Sequence, residues 1–281
     1  MVDREKVWAV SMMRDEEDIV GQTIRQLVDE GVDGIIVANN RSVDNTGVLL
    51  EELQGILPIP LVLKVDDEPG YYQAAKMGAL AAEAHEYGAD WIVPFDADEI
   101  WYANGDRLAE ELRLVPRGIE AVSVPMYNHF RTALDSADPR PVVSMMYRAD
   151  ERNQLNKVAY RWSPSAQIWP GNHGVSIDGR APFTEKSPLM IRHFPYRSPE
   201  QMVRKAVNGL EAYRAAPELP AMLGSHWRQY GELIERYGAA QFVDDVWFKY
   251  YFKMVPVNEG MKIAPAPYLR WAGKDLKGYD C

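Results

Sequence analysis

Residues 91–101, which read WIVPFDADEIW, form the stretch that decides the fold of this chain. A short apolar run bounded in this way is typical of a buried strand. Asp96, Asp98 and Glu99 end the run, so three acids follow the carboxyl end of the strand. In open α/β sheets ligands bind at that end, and carboxylates two residues apart can share one divalent cation. This stretch alone leaves a solvated acidic turn open as the alternative.

The chain before this stretch alternates between strand and helix patterns. Acids at residues 15–18 favour the first turn of a helix, because they complement the helix dipole. Strands that alternate with helices of this length predict an α/β fold with a mostly parallel sheet, flanked by helices and wound by right-handed crossovers. The predicted strands cover residues 7–12, 34–38 and 61–65. Of the three predicted helices, the first ends near Gly31, the second carries Val48 to Leu53, and the third covers residues 71–87.

Composition and charge narrow the class of protein. The 281 residues suffice for one large domain with or without an appendage. A net charge of −10 argues against nucleic acid as a partner. The single cysteine, Cys281, can form neither an intrachain disulfide nor a cysteine metal site. No run approaches the roughly 18 apolar residues of a spanning helix, and no apolar leader follows the charged N-terminus. We therefore expect a cytoplasmic protein without a transmembrane segment.

Polar clusters follow the first, second and fourth predicted strands, and a parallel sheet brings them to one edge, as in a nucleotide site. The chain has neither G-x-G-x-x-G nor G-x-x-x-x-G-K-[ST], so a dinucleotide fold or a P-loop is not supported. A phosphatase with a nucleophilic aspartate also places Asp-x-Asp after a strand. That class usually carries Thr or Val where this chain has Ile100.

Four segments follow one another along the chain: residues 13–16 (MRDE), 39–46 (NNRSVDNT), 95–99 (FDADE) and 191–198 (IRHFPYRS). In this order they resemble family 2-type glycosyltransferases with the GT-A fold, in a bacterial branch with a D-x-D motif. The resemblance spans roughly residues 7–200 and implies a GT-A-like, Rossmann-like sheet. It further implies inverting, metal-dependent transfer of a sugar from a nucleotide-diphosphate sugar, with a UDP-sugar favoured, to an acceptor hydroxyl.

The resemblance also implies the residues of the site. Mixed carboxylate and imidazole ligation suits Mn²⁺ better than Mg²⁺, so the expected cofactor is Mn²⁺ (or Mg²⁺), held by Asp96, Asp98 and His193. The expected catalytic residues are Asp98, Glu99 and His173. The expected nucleotide-binding residues are Ser11, Glu16, Asn39, Asn40, Asp44, Lys76 and Asp96.

The chain departs from the family at Asn39 and Asn40, where acids usually accept hydrogen bonds from the base. An amide oxygen can still accept from a ring N–H, so the nucleotide stays open, and turn chemistry is the alternative for both asparagines. Asp44 could instead cap the next helix, Lys76 could lie on a helix surface, and His193 could be structural. The general base stays open among Glu99, Asp150, Glu151, Glu185 and His173.

The second half predicts strands at 121–127 and 142–147, separated by a polar surface loop at 128–141. Ser198 and Gln201 form a capping box that starts a mostly helical region. We therefore expect a GT-A-like domain at 1–197 and a helical C-terminal appendage at 198–281. The aromatic residues 246–254 favour a packed helix, with peripheral membrane contact as the alternative, and a homo-oligomer also stays open.

Two other classes of function remain. A nucleotidyltransferase would be expected to show a glycine-rich basic loop after its first strand, where this chain has the mostly acidic residues 14–18. A non-catalytic sugar- or nucleotide-binding module could keep the same fold. Ligand titration followed by a turnover assay separates these classes.

Overall fold

The computed structural model describes residues 4–264. The strands are β1 (Val7–Met13), β2 (Gly34–Asn39), β3 (Leu61–Val65), β4 (Trp91–Pro94), β5 (Glu99–Ala103), β6 (Ala121–Val124), β7 (Met126–Asn128), β8 (Arg131–Thr132), β9 (Tyr147–Ala149), β10 (Lys157–Arg161), β11 (Gln167–Ile168), β12 (Val175–Ser176), β13 (Thr184–Lys186), β14 (Leu189–His193), β15 (Phe252–Lys253) and β16 (Met261–Ile263). The α-helices are α1 (Val20–Asp29), α2 (Thr46–Ile56), α3 (Gln73–Glu86), α4 (Leu108–Leu114), α5 (Pro141–Ser144), α6 (Pro199–Arg214), α7 (Ser225–Tyr237) and α8 (Ala239–Phe242). A π-helix follows at Val243–Tyr251, with 3₁₀ turns at Pro170–Asn172 and Pro256–Glu259.

A seven-stranded sheet in the order β13-β6-β10-β4-β1-β2-β3 forms the centre of the molecule. Strands β4, β1, β2 and β3 run parallel, whereas β10 runs antiparallel to both β4 and β6. The carboxyl ends of β1, β2 and β4 therefore meet at one edge, and the loops that follow them carry the polar clusters. The predicted α/β fold with a mostly parallel sheet is confirmed.

Both faces of the central parallel strand β1 are buried. On β1, Val7 and Ala9 belong to a core shared with α1, α2 and α4, while Trp8 and Val10 belong to a core shared with α3. A fully buried valine such as Val7 or Val10 contributes about 1.5–3 kcal/mol. A side chain at Gly34 would place its Cβ 2.5 Å from the Trp8 ring, so only glycine lets that indole cross β2.

A second sheet in the order β5-β14-β7 continues directly from the acidic stretch. Strand β14 pairs antiparallel with β5, and this register sets His193 opposite Glu99. The backbone N–H of Phe194 donates to the carbonyl of Asp98 at 2.8 Å. This pairing brings His193 beside the D-x-D segment, from nearly a hundred residues away in the chain.

Three local predictions were wrong. Residues 142–147 form no continuous strand: Pro141 starts the helical turn α5, which buries Val142, and a strand begins only at Tyr147. The acids at 15–18 precede α1 rather than fill its first turn. Residues 128–141 are not simply a surface loop, because His129 is buried and β8 pairs with β15.

The predicted cap of α6 is confirmed, with Pro199 as the first helical residue. The hydroxyl of Ser198 accepts from the backbone N–H of Gln201 at 3.1 Å. The side-chain oxygen of Gln201, Oε1, accepts from the backbone N–H of Arg197 at 3.1 Å rather than from that of Ser198. A separate core joins α6, α8 and the π-helix, in which Val246 and Trp247 are buried.

The C-terminal helices lie beside the polar edge of the sheet. None of the helices within residues 4–264 is long and apolar enough to cross a membrane. The division at 197/198 stays a prediction, and Cys281 lies outside the described residues.

Candidate active site

A cavity of about 490 Å³ opens at the carboxyl edge of β1, β2 and β4. One wall comes from the loops after these strands, and the opposite wall comes from α6 and the start of α7. The lining includes Arg14, Asp15, Glu16, Asn40, Tyr71, Gln73, Asp96, Asp98, Lys157, His173, His193, Arg204, Lys205, Asn208, Tyr213, His226 and Trp227.

Asp96 is held by three neighbours from separate parts of the chain. Its Oδ2 lies 2.6 Å from Lys157 Nζ, and its Oδ1 accepts from Asn172 Nδ2 at 3.1 Å and Gln73 Nε2 at 3.4 Å. Lys157 begins β10, which pairs antiparallel with β4 and so brings the ammonium to the acidic stretch. The carboxylate of Asp96 is thus already neutralised within the protein.

Glu99 shares the same lysine but is completely buried, away from the cavity lining. Its carboxylate lies 2.6 Å from Lys157 Nζ and accepts from Trp101 Nε1 at 3.2 Å. Burial raises the pKa of Glu99 to about 7, although Lys157 opposes the shift. Burial by itself lowers the pKa of Lys157, but Asp96 and Glu99 outweigh it and raise that pKa, so the lysine stays charged.

Asp98 faces two cationic side chains and one imidazole. Its Oδ2 lies 2.5 Å from Lys205 Nζ, 3.6 Å from His193 Nε2 and 3.9 Å from Arg197 Nη1. Burial alone would raise the pKa of Asp98, but Lys205 and His193 outweigh it and hold the pKa well below its usual value. Asp98 is therefore ionised at neutral pH.

Arg197 is a buried link between the loop after β1 and the start of α6. Its guanidinium pairs with Glu16 and, through Nε, lies 2.7 Å from Asp18 Oδ2. Lys205 adds a second cation at 3.6 Å from Glu16. The acids at 16 and 18 therefore position the cationic wall of the site rather than stabilise a helix dipole.

Of the predicted nucleotide-binding residues, Glu16, Asn40 and Asp96 line the cavity. The Asn40 amide nitrogen donates to Asp66 Oδ2 at 2.9 Å and to the Glu68 carbonyl at 2.8 Å. Lys76 lies 2.6 Å from that same Asp66, outside the lining.

The other three predicted nucleotide-binding residues also lie outside the cavity lining: Ser11, Asn39 and Asp44. The Ser11 hydroxyl donates within β1, to the Met12 carbonyl at 3.4 Å. The Asn39 side chain accepts from the Ser42 amide at 3.4 Å, which is turn chemistry. Asp44 accepts from the amide of Thr46, the first residue of α2, at 2.9 Å.

His173 and His193 both face the cavity. His173 Nδ1 lies 3.0 Å from the Asn156 carbonyl, which can only accept, so Nδ1 carries the proton and Nε2 keeps its lone pair. Burial, followed by the charge of Lys157, lowers the pKa of His173. His193 Nδ1 lies 2.9 Å from Asn128 Oδ1, and its Nε2 faces Asp98. The remaining base candidates, Asp150, Glu151 and Glu185, lie outside the lining.

The expected metal ligands do not form a ready coordination site. Among residues 4–264, no three His, Cys, Asp or Glu side chains are grouped so that they could hold a metal ion. Asp96 is paired with Lys157, and Asp98 with Lys205, at distances where a cation's ligands would lie. Of the three expected ligands, only Asp98 and His193 face each other. Lys205 contacts the same Asp98 oxygen, Oδ2, that faces His193.

The sequence prediction missed the residues that contribute most of the positive charge, Lys157, Arg197 and Lys205. A helical signal was present for one of them: Gln201, Lys205, Asn208 and Ala212 recur at helical spacing and all line the cavity. The aromatic wall of Tyr71, Tyr213 and Trp227 was missed as well. The rings of Tyr71 and Tyr213 lie 4.9 Å apart.

No protein-family model matches the chain, and no curated protein matches it. Among solved structures, S. aureus TarS 1–349 in complex with UDP is similar at 12% identity over 86% of this chain and 75% of that one, with a TM-score of 0.38. HddC from Yersinia pseudotuberculosis is similar at 10% identity over 65% and 92%, with a TM-score of 0.37.

A third similar structure is glucosyl-3-phosphoglycerate synthase from Mycobacterium tuberculosis in complex with Mn²⁺, UDP and glucosyl-3-phosphoglycerate. It is 18% identical over 56% of this chain and 57% of that one, with a TM-score of 0.32. All three similarities are distant. Function is therefore inferred from the residues around the cavity.

Proposed function

We propose that this protein is a glycosyltransferase that moves a sugar from a nucleotide-diphosphate sugar to an acceptor hydroxyl. The observation that carries the proposal is the cavity itself. At the carboxyl edge of parallel strands, where α/β folds bind ligands, it combines the D-x-D acids, cations from α6 and an aromatic wall. The order of the four sequence segments that resemble family 2-type enzymes supports the same reading.

Asn40 is the residue best suited to contact the base. Its amide nitrogen is committed to Asp66 and Glu68, so its Oδ1 points away from them as a hydrogen-bond acceptor. An acceptor in this position suits the ring N–H of uracil, and also that of guanine. We favour a UDP-sugar as the donor. Lys76 acts on the base only indirectly, because its ammonium holds Asp66, which accepts from the Asn40 amide.

His173 is the group we propose as general base. Its Nε2 is free to accept a proton, and its lowered pKa keeps the imidazole neutral near pH 7. In an inverting reaction the acceptor oxygen bonds to the anomeric carbon as the bond from that carbon to the phosphate oxygen breaks. The hydroxyl proton passes to His173 Nε2, and the nucleoside diphosphate leaves with the bonding electron pair.

The expected Mn²⁺ (or Mg²⁺) has no step in this proposed reaction, because both D-x-D aspartates are already paired with ammonium groups. The diphosphate that leaves carries several negative charges, and Arg14, Arg204 and Lys205 line the same cavity. These side chains can balance that charge. The inverting outcome rests on the resemblance.

Calorimetric titration of UDP and GDP, followed by assays with the corresponding sugar donors, tests the proposal. We expect binding of one nucleoside diphosphate and release of it from a donor, with transfer to an added acceptor or to water. Pyrophosphate release from a nucleoside triphosphate would favour a nucleotidyltransferase instead. Binding without turnover across donors and acceptors would favour a non-catalytic module.

A further inference from the structure

We propose that Lys205 takes the place of a divalent cation, so that its ammonium, seated on Asp98, binds the donor diphosphate directly and without metal. This inference rests on the proposed function, since it concerns how that donor is held. The class of ligand is a nucleoside diphosphate, and the group that Lys205 contacts is the diphosphate rather than the base.

The position of the ammonium supports this role. Lys205 Nζ lies 2.5 Å from Asp98 Oδ2 and 3.6 Å from Glu16 Oε1, so two carboxylates fix it from the protein side. The side chain still keeps 25% of its surface exposed and lines the cavity, next to Arg204. A lysine ammonium has three donors, so donors remain for phosphate oxygens after the contact with Asp98.

The same contact opposes metal binding at Asp98. A divalent cation binds a carboxylate oxygen at about 2.0–2.6 Å, which is the region that Lys205 Nζ already occupies beside Oδ2. To enter, the metal would have to displace a positive charge that also pairs with Glu16.

Asp96 shows the same arrangement one step deeper. Lys157 Nζ lies 2.6 Å from Asp96 and 2.6 Å from Glu99, and the lysine side chain is only 4% exposed. This buried lysine neutralises the first acid of the motif, while the more exposed Lys205 faces the cavity. Each aspartate of the D-x-D motif therefore carries its own internal cation, and of the two cations Lys205 is the more exposed to a ligand.

The test compares Lys205→Met with Lys262→Met as a matched control. Lys262 forms an equally short pair, 2.5 Å from Asp150, but it does not line the cavity. UDP is titrated by calorimetry in EDTA and in Mn²⁺, and uridine is titrated by ligand-observed NMR. We expect the parent and Lys262→Met to bind UDP equally in both buffers. Lys205→Met should lose affinity for UDP by about tenfold or more and keep its affinity for uridine.

Each other outcome overturns the inference. If the parent bound UDP only in Mn²⁺, Asp98 would be a metal ligand, and the proposed function would still hold. Unchanged UDP affinity in Lys205→Met, or equal losses for UDP and uridine, would assign the lysine a structural role. No binding of any nucleoside diphosphate in either buffer would end the proposed function as well. If Lys205→Met fails to fold, Lys205→Gln replaces it and should show the same loss of UDP affinity. Lys205→Arg should retain UDP binding because it keeps the charge.

Discussion

Lys205 and Asp98 join the C-terminal helical region to the acidic end of β4, with Nζ 2.5 Å from Oδ2 across 107 positions in sequence. Neither residue has a full set of partners until α6 lies against the sheet edge. Arg197, at the entry to α6, makes the parallel link to Glu16 and Asp18. The cationic wall of the cavity therefore forms only when the C-terminal helices dock, and we expect docking and ligand binding to be coupled.

Asp98→Asn should lower stability but spare metal-free binding of UDP. The change leaves Lys205 and the buried Arg197 short of an anion, which should lower the free energy of unfolding by about 2–4 kcal/mol. It also removes a negative charge near the diphosphate, so we expect UDP affinity in EDTA to stay within about threefold. Urea unfolding and calorimetry measure the two effects. Loss in a folded variant of a UDP affinity that the parent shows only in Mn²⁺ would instead favour Asp98 as a metal ligand.

Asp18→Asn should show a destabilisation that depends on pH. Burial alone raises the pKa of Asp18, but Arg197 outweighs it, and the folded-state pKa lies below the ordinary 3.8. A depressed pKa adds stability above the unfolded value, and this is lost as the pH falls through the folded value. The variant should therefore lose about 1 kcal/mol at pH 7 and progressively less below pH 3.8.

Urea titrations of the parent and Asp18→Asn at pH 7 and at acid pH check this expectation. Asp150→Asn is the control, because its pair with Lys262 is largely exposed and should contribute little. A difference between parent and Asp18→Asn that is the same at both pH values would show that the ion pair with Arg197 is not its source.

His173→Ala should lower turnover without a matching loss of nucleotide affinity. A general base contributes about 10²–10⁴-fold to the rate, and the Nε2 of His173 is the atom we assign to that proton. His85→Ala is the control, since that imidazole stacks on Trp162 with the ring centroids 3.6 Å apart and does not line the cavity. Measurements of donor turnover and of UDP affinity by calorimetry on both variants test this expectation. Full activity in His173→Ala would show that another residue is the general base.

The central sheet could be predicted from sequence because each parallel strand is a short apolar run with its own flanking turn. Residues 61–65 and 91–94 form strands where the pattern places them. The error at 142–147 has a physical cause. Apolar residues there pack against Ile19 and Phe194, and burial alone does not distinguish a helical turn from a strand.

The acids of the site were identified from sequence, but their partners were not. Asp96 and Asp98 stand in a recognisable motif after β4, whereas Lys157 and Lys205 look like ordinary lysines of a strand and a helix. Their meaning depends on the antiparallel entry of β10 beside β4 and on the docking of α6. No local pattern encodes either contact, so a metal was expected where the structure places ammonium groups.

Two glycines that flank α7 provide a matched test of the aromatic wall. Gly224 and Gly238 both have positive φ, 61° and 85°, so alanine strains the backbone at either position. A Cβ at Gly224 would overlap the ring of Tyr213, whereas a Cβ at Gly238 meets nothing within 4 Å. Both variants should lose about 1–3 kcal/mol of stability from backbone strain. Only Gly224→Ala should displace Tyr213 and weaken binding of a UDP-sugar, as measured by calorimetry. Equal affinities in the two variants would mean that the Tyr213 ring does not contact the donor.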